Sequence, residues 1–130
     1  MPSTDGSTPD IAESFKTGAW KFTPEVVGVF PEHVRASVPF YDEIQDLVAQ
    51  ASDWLLPQDG VFADLGAATG ITAARVIARH PERCIKVHLY DTEKPMLDAA
   101  EATLRDLPWG ELHPHLHPIE TPLLHKEADL

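Results

Sequence analysis

Residues 61–70, VFADLGAATG, decide the fold of this chain. The short apolar run Val61–Leu65 has the length and composition of a buried strand, and it leads into a turn bounded by Gly66 and Gly70. Because glycine adopts backbone angles closed to other residues, such a turn lets the backbone approach a ligand that a bulkier loop would hold away. The stretch therefore predicts a strand followed by a ligand-binding turn.

Strand and helix patterns alternate after this turn. The predicted order is a helix over Ile71–His80, a strand over Cys84–Tyr90, a helix over Thr92–Asp106 and a strand over Glu111–Ile119. The first two strands are apolar with little alternation, as strands covered on both faces are. Strands and helices that alternate at these lengths form right-handed βαβ units and a parallel sheet, so the predicted fold class is α/β.

The segment before the first strand predicts helices. Thr23-Pro24-Glu25 supplies an N-cap, a proline for the first turn and an early acid, and Pro31 and Pro39 then divide the segment. Beyond Pro39, apolar residues recur at helical spacing and predict an amphipathic helix over residues 40–55. The apolar residues of this helix are Ile44, Leu47, Val48, Ala51, Trp54 and Leu55. Residues 1–22 begin with a polar, proline-containing stretch and are predicted to be a flexible tail.

The composition limits the domain count and the partners. The chain has 130 residues and a net charge of −11, which fits one compact domain that is repelled by nucleic acids and anionic membranes. The sequence holds no apolar run of about 18 residues and no basic-then-apolar leader, which predicts a cytoplasmic protein. Cys84 is the only cysteine and lies in an apolar run, so we expect a buried thiol rather than a nucleophile.

Asp91 follows the second predicted strand directly. Ligands of parallel sheets bind at the carboxyl ends of the strands, where an acid can accept hydrogen bonds from both ribose hydroxyls. The turn and Asp91 together therefore favour a nucleoside ligand. The spacing lacks the third glycine of a dinucleotide fingerprint, and no lysine follows Gly70 as a phosphate-binding loop requires. A tight chain reversal and a helix-stabilising acid are the alternative interpretation.

Two stretches resemble a known family. DLGAATG at 64–70, with Leu89-Tyr90-Asp91, resembles motif I and the following acidic motif of class I S-adenosylmethionine-dependent methyltransferases. VFPEHVRASVPFY at 29–41 resembles a segment of the carboxy-S-adenosylmethionine synthase group and its tellurite-methyltransferase-like relatives. The resemblance covers about residues 25–107. It implies that residues 23–130 form a partial Rossmann-like domain that binds S-adenosylmethionine or carboxy-S-adenosylmethionine.

The resemblance also implies roles for single residues. Tyr41 matches the family's cofactor-contacting tyrosine, although a core aromatic is the alternative interpretation. The Gly66–Ala68 turn matches the loop around the methionine end, and Asp91 matches a ribose-binding acid. Arg35 is a candidate partner for a carboxylate. No catalytic residue is assigned, and the implied cofactor-binding residues are Tyr41, Gly66, Ala67, Ala68, Gly70, Asp91 and Thr92.

The chain departs from the family in two places. His117-Pro118-Ile119 stands where the family places an acid that meets the adenine, so backbone contacts are the alternative there. The family sheet has seven strands, whereas the strands predicted here correspond to its 3-2-1 half. The outer edge of the first strand would then be exposed, so we expect either a homo-oligomer or a missing C-terminal half.

Three functions follow from this resemblance. The first is the cofactor-binding part of an enzyme that transfers a methyl group to a small-molecule acceptor, provided that missing strands or a partner complete it. The second is an enzyme like the carboxy-S-adenosylmethionine synthases. The third, from a different class, is a non-catalytic binding or interaction module.

His113, His115 and His117 alternate with apolar residues in the last predicted strand. In a strand the three imidazoles would share one face, a geometry that can hold a divalent metal. Prolines at 114 and 118 instead favour a polar edge strand. We predict the edge strand and no metal.

Overall fold

The computed structural model of the chain describes residues 22–118 and 129–130. Within them, two helices precede a strand, and helices then alternate with two further strands. The elements are α1 (Pro24–Ser37), α2 (Tyr41–Leu55), β1 (Val61–Leu65), α3 (Ile71–Arg79), β2 (Lys86–Asp91), α4 (Lys94–Leu104) and β3 (Glu111–Leu116). The predicted flexible tail, residues 1–22, lies outside the described residues apart from Phe22.

The three strands form a parallel sheet in the order β1-β2-β3. The pairing places Leu65 beside Tyr90 and Asp91 beside Leu116, so the carboxyl ends of the strands meet at one edge of the sheet. This arrangement confirms the predicted α/β, Rossmann-like class. It also places the glycine turn after β1 next to the residue that ends β2.

The core lies between the sheet and the helices α3 and α4. Val87 and Leu89 of β2, like Val76 and Ile77 of α3, have no solvent exposure. Burial of each such side chain contributes about 1.5–3 kcal/mol to folding. The turn after β1 therefore follows a sheet that is closely packed against helices.

Helix α1 continues through Pro31, so the prediction that Pro31 divides the segment is wrong. Thr23 caps the helix start by accepting a hydrogen bond from the Val26 amide. Proline has a helix-compatible φ, so within the helix it costs chiefly the hydrogen bond to the Val27 carbonyl and a local clash. The chain turns between α1 and α2 at Phe40, whose φ of 58° is left-handed.

Helix α2 does not pack through its apolar stripe. The buried side chains are Gln45, Ala49 and Ser52, which face α3. The large apolar residues point away: Trp54 is 89% exposed and Leu47 is 65% exposed. We call the exposed set the α2 stripe, and it consists of Phe40, Ile44, Leu47, Trp54 and Leu55.

Polar partners on α3 explain this orientation of α2. The Thr72 hydroxyl donates a hydrogen bond to Gln45, and Ser52 bonds to His80. Ion pairs join Asp53 to Arg79 at 2.6 Å and Asp46 to Arg75. Each of these contacts requires the polar flank and the small residues of α2 to face α3.

Cys84 is exposed, so the prediction of a buried thiol was wrong. Strand β2 begins two residues later than predicted, at Lys86, because residues 80–85 form a turn in which the Arg83 amide bonds to the His80 carbonyl. Cys84 therefore belongs to a loop. No helix among the described residues is long and apolar enough to cross a membrane.

Candidate functional site

The turn after β1 is tied to the end of β2. The amides of Gly66 and Ala67 both donate to the Tyr90 carbonyl, at 2.9 Å each. The Gly70 amide closes the turn by donating to the Ala67 carbonyl at 2.9 Å. Left-handed φ angles at Gly66 (76°), Ala68 (47°) and Gly70 (79°) make this path possible. The turn is therefore a fixed loop that presents backbone at the sheet edge.

The two glycines of the turn have different surroundings. A Cβ at Gly66 would have no atom within 4 Å, so Gly66 faces open space. A Cβ at Gly70 would lie 3.0 Å from Ala100 of α4. Gly70 thus allows helix α4 to approach closely, while Gly66 leaves room for a ligand.

Asp91 holds the turn through its carboxylate. Its Oδ2 accepts a hydrogen bond from the Ala68 amide at 2.9 Å, and its Oδ1 accepts one from the Glu93 amide at 3.0 Å. An ionised carboxylate has about four acceptor positions, so both oxygens can still accept from a ligand. Thr92 is exposed directly beside it. This geometry leaves Asp91 able to make the predicted ribose contact. Asp91 also holds the Gly66–Gly70 turn in place.

Asp64 is the second carboxylate at this edge. Burial, followed by the nearby charge of Asp91, raises the pKa of Asp64 from 3.8 to about 6. Among the described residues, its buried Oδ2 has no hydrogen-bond partner. Buried polar atoms are nearly always paired, so an unpaired carboxylate oxygen at the carboxyl ends of parallel strands marks a candidate functional site.

Tyr41 and the turn line one cavity of about 200 Å³. Phe30 of α1 and Gln45 of α2 also line it, together with Gly66–Ala68 and Thr72 of α3. Burial is the main cause that raises the pKa of the Tyr41 hydroxyl above its usual value, so this group stays protonated at neutral pH. The cavity brings together the two stretches that carry the family resemblance.

Gln45 is a cavity residue that the sequence reasoning missed. In the sequence it stands between apolar residues of the helix predicted over residues 40–55. Tyr41 and Gln45 are four residues apart and share one helix face, which is the signal that could have identified it. Its side-chain oxygen accepts the Thr72 hydrogen bond. Its amide group is the remaining donor of that side chain.

Arg35 does not line this cavity. Its Nε donates to both carboxylate oxygens of Asp42, at 3.2 and 3.1 Å. Arg75 also pairs with Asp42, at 2.5 Å. The Arg35 hydrogen bond is the largest of the effects that lower the pKa of the Asp42 carboxyl. The structure therefore gives Arg35 a partner within the protein.

Ser52, His80 and Asp53 lie close together without forming a catalytic triad. Ser52 Oγ lies 2.7 Å from His80 Nε2, and Asp53 Oδ1 lies 3.5 Å from the same nitrogen. In a triad the acid contacts the other ring nitrogen. Ser52 is also fully buried. The group joins α2 to α3 and has no access to a substrate.

The histidines of β3 pack against β2 in a layer of rings. His113 stacks on His88 at 4.7 Å between ring centroids, and His115 stacks on Tyr90 at 4.4 Å. Burial and the neighbouring His113 and His117 lower the pKa of His115. Within residues 22–118 and 129–130, no three His, Cys, Asp or Glu side chains are arranged to hold a metal.

Comparison with known proteins finds relatives that are named carboxy-S-adenosyl-L-methionine synthase. No family model matches the chain. It is 32% identical to the carboxy-S-adenosyl-L-methionine synthase of Desulfotalea psychrophila over 123 residues, which are 92% of this chain and 47% of the relative. The synthase of Shewanella amazonensis is 29% identical over 87 residues, 67% of this chain and 36% of the relative. Synthase 1 of Yersinia pseudotuberculosis is 36% identical over 62 residues, 48% of this chain and 25% of the relative.

These relatives confirm the resemblance that was drawn from the sequence motifs. The chain spans about half the length, or less, of the curated relatives it matches. The matched part is consistent with an N-terminal half of those relatives.

Proposed function

We propose that this chain binds S-adenosylmethionine, or its carboxylated form, across the Gly66–Gly70 turn. The observation that carries the proposal is the cavity in which Tyr41 meets a turn that Asp91 holds in place. The names of the relatives support the same class of ligand. The proposed cofactor-binding residues remain those predicted from the sequence, with Gln45 added and with Gly70 given an indirect role.

The residues at the site fit such a ligand. Gly66 leaves open space where a side chain would block an approaching ligand. Tyr41 offers an apolar ring face and a polar hydroxyl tip. Asp91 keeps acceptor capacity for ribose hydroxyls, and the orphan oxygen of Asp64 could accept a hydrogen bond from a ligand N–H or O–H group. Gly70 contributes through the packing of α4 rather than through direct contact.

Bound S-adenosylmethionine supplies an activated sulfonium group, and the protein residues bind and orient it. The names of the relatives favour a reaction that carboxylates the cofactor over methyl transfer to a small-molecule acceptor. Either reaction is proposed only for a protein that also contains a counterpart of the part of the relatives that this chain does not match. A non-catalytic binding module is the outcome if the bound cofactor is not converted. The proposal also places the protein in the cytoplasm, with a small molecule as its substrate.

Titration calorimetry with S-adenosylmethionine and S-adenosylhomocysteine tests the binding. We expect saturable binding at one site, and at least a tenfold weaker affinity in Asp91→Ala because both the turn and the ribose lose the carboxylate. Asp98→Ala is the matched control, since Asp98 is an exposed acid of α4 that pairs with Lys94. Absence of binding by either ligand to the folded parent protein would refute the proposed function.

A second titration separates ribose recognition from support of the turn. The parent protein should bind the 2′-deoxy analogue of S-adenosylhomocysteine more weakly than S-adenosylhomocysteine itself. In Asp91→Ala the two ligands should bind equally, because the group that distinguishes them is gone. An unchanged preference in the variant would assign Asp91 to the turn alone.

A further inference from the structure

Two side chains of α2 carry hydrogen-bond donors that no group among residues 22–118 and 129–130 accepts. The donors are the Tyr41 hydroxyl and the amide nitrogen of Gln45. Gln45 is buried, Tyr41 is half-buried, and both line the cavity of about 200 Å³ beside the Gly66–Ala68 turn. Polar groups that are removed from water are nearly always hydrogen-bonded. Two unpaired donors in one cavity therefore indicate a ligand with an acceptor group.

Thr72 orients the Gln45 amide. Its hydroxyl donates to the side-chain oxygen of Gln45, so this oxygen is held toward α3. The two N–H groups at the other end of the amide stay available to a ligand. Because Tyr41 and Gln45 are four residues apart in a helix, their side chains lie on the same helix face. The two donors can therefore serve one acceptor group from the same side.

The charges around Tyr41 favour a negatively charged acceptor. Burial has the largest effect on the pKa of the Tyr41 hydroxyl and raises it. Among the nearby charges, Arg35 and Arg75 lower this pKa, and each has a larger effect than either of the acids that raise it, Asp42 and Asp64. A negative charge beside the hydroxyl is thus stabilised by the charged side chains taken together. Both arginines pair with Asp42, so they act on the cavity through their charge and not through contact.

The charge is reversed at the carboxyl ends of the strands. Burial and then the charge of Asp91 raise the pKa of Asp64, so two carboxyl groups lie close together there. Such a pair attracts a positive charge. The amino-acid end of S-adenosylmethionine carries one carboxylate and one ammonium group, which matches this division.

We propose that Gln45, together with Tyr41, recognises the carboxylate at the amino-acid end of the ligand and makes the site specific for ligands that carry it. The inference rests on the proposed function, because it concerns the same ligand. Gln45 is the specificity-determining residue of the pair that the family resemblance does not include, since it lies outside the stretches 29–41, 64–70 and 89–91.

Titration calorimetry with two ligands tests this role. S-adenosylhomocysteine carries the carboxylate, and S-adenosyl-3-thiopropylamine is the same molecule without it. The parent protein should bind S-adenosylhomocysteine about tenfold more tightly, because hydrogen bonds to a charged group are the strong ones. Gln45→Leu should lose most of this preference by weakening S-adenosylhomocysteine while leaving the affinity for the thiopropylamine unchanged.

A second variant and a matched control accompany Gln45→Leu. Gln45→Glu keeps an oxygen that accepts the Thr72 hydrogen bond, but it has no N–H donor and its negative charge repels a carboxylate. At pH 8 it should bind the two ligands equally or prefer the thiopropylamine. Gln50→Leu is the control, because Gln50 is exposed on α2 and does not line this cavity. Its ligand preference should equal that of the parent.

The outcomes separate this inference from the proposed function. Circular dichroism checks that each variant is folded, and Gln45→Glu carries the test if Gln45→Leu is not. Equal affinity of the parent for the two ligands, or the parent's preference retained in the folded Gln45 variants, would overturn the inference and leave the proposed function standing. Absence of binding by both ligands to the folded parent would refute the proposed function and the inference with it.

Discussion

The buried carboxyl group of Asp64 makes the stability of the ligand-free protein depend on pH. Its pKa of about 6 means that the folded state retains a proton that the unfolded chain has already released above pH 3.8. The folded state binds more protons between these pH values, so stability falls as the pH rises through this window. Ionised Asp64 therefore destabilises the free protein at neutral pH.

Replacing Asp64 with asparagine should remove this penalty. We expect Asp64→Asn to be the more stable protein above pH 6, by up to about 3 kcal/mol, and to lose that advantage below pH 4. Urea unfolding at four pH values measures the difference, with the exposed Asp98→Asn as control. Parallel stability curves for parent and Asp64→Asn would contradict the assigned pKa.

The two glycines of the turn should respond differently to alanine. Gly66→Ala should lower the free energy of unfolding by about 1–2 kcal/mol, because alanine is strained at a left-handed φ. It should weaken the binding of S-adenosylhomocysteine at least tenfold, because the new methyl group would enter the open space that the ligand is proposed to fill. In Gly70→Ala the new methyl group would also crowd Ala100 of α4, so this variant should lose about 1–3 kcal/mol more stability than Gly66→Ala. Thermal unfolding and calorimetry measure both quantities. Equal losses of affinity and stability in the two variants would remove the distinction between a ligand-facing and a packing glycine.

At the scale of helices and strands, the sequence predicted the features that depend on residues close together in the chain. The apolar runs and the glycine turn predicted the alternation of strands and helices, and the parallel pairing then brought Asp91 beside the turn. The orientation of α2 was not predictable, because Gln45 and Ser52 point inward to meet Thr72 of α3 and His80, the residue that follows α3.

The edge of β1 offers a prediction about single amides. Removing residues 129–130 deletes the partners of the Ala63 amide (Leu130 carbonyl, 2.8 Å) and the Val61 amide (Asp129 carboxylate, 2.9 Å). We expect these two amides to exchange with solvent at least tenfold faster by nuclear magnetic resonance. The Phe62 and Asp64 amides face β2 and serve as internal controls. Uniform acceleration at all four positions would indicate general loosening instead of an exposed edge.

At the scale of the whole molecule, the described residues form one side of the proposed ligand site, at the edge of the sheet. Helices α1 and α2 contribute Phe30 and Tyr41, the sheet edge contributes the turn and Asp91, and α3 contributes Thr72. The described cavity thus gathers the residues proposed for the methionine end of the ligand. At the place where the sequence resemblance implies an acid that meets the adenine, the chain has His117 and Pro118.

This distribution predicts which part of the ligand stabilises the protein most. S-adenosylhomocysteine at about 100 times its dissociation constant should add about 2.7 kcal/mol to the unfolding free energy, which corresponds to roughly 10 °C in the melting temperature. Methylthioadenosine keeps the nucleoside but lacks the amino-acid end that the Tyr41 cavity would hold. At the same concentration it should therefore raise the melting temperature by less than half as much. Equal shifts from the two ligands, measured by scanning calorimetry, would mean that the cavity beside Tyr41 does not recognise the amino-acid end.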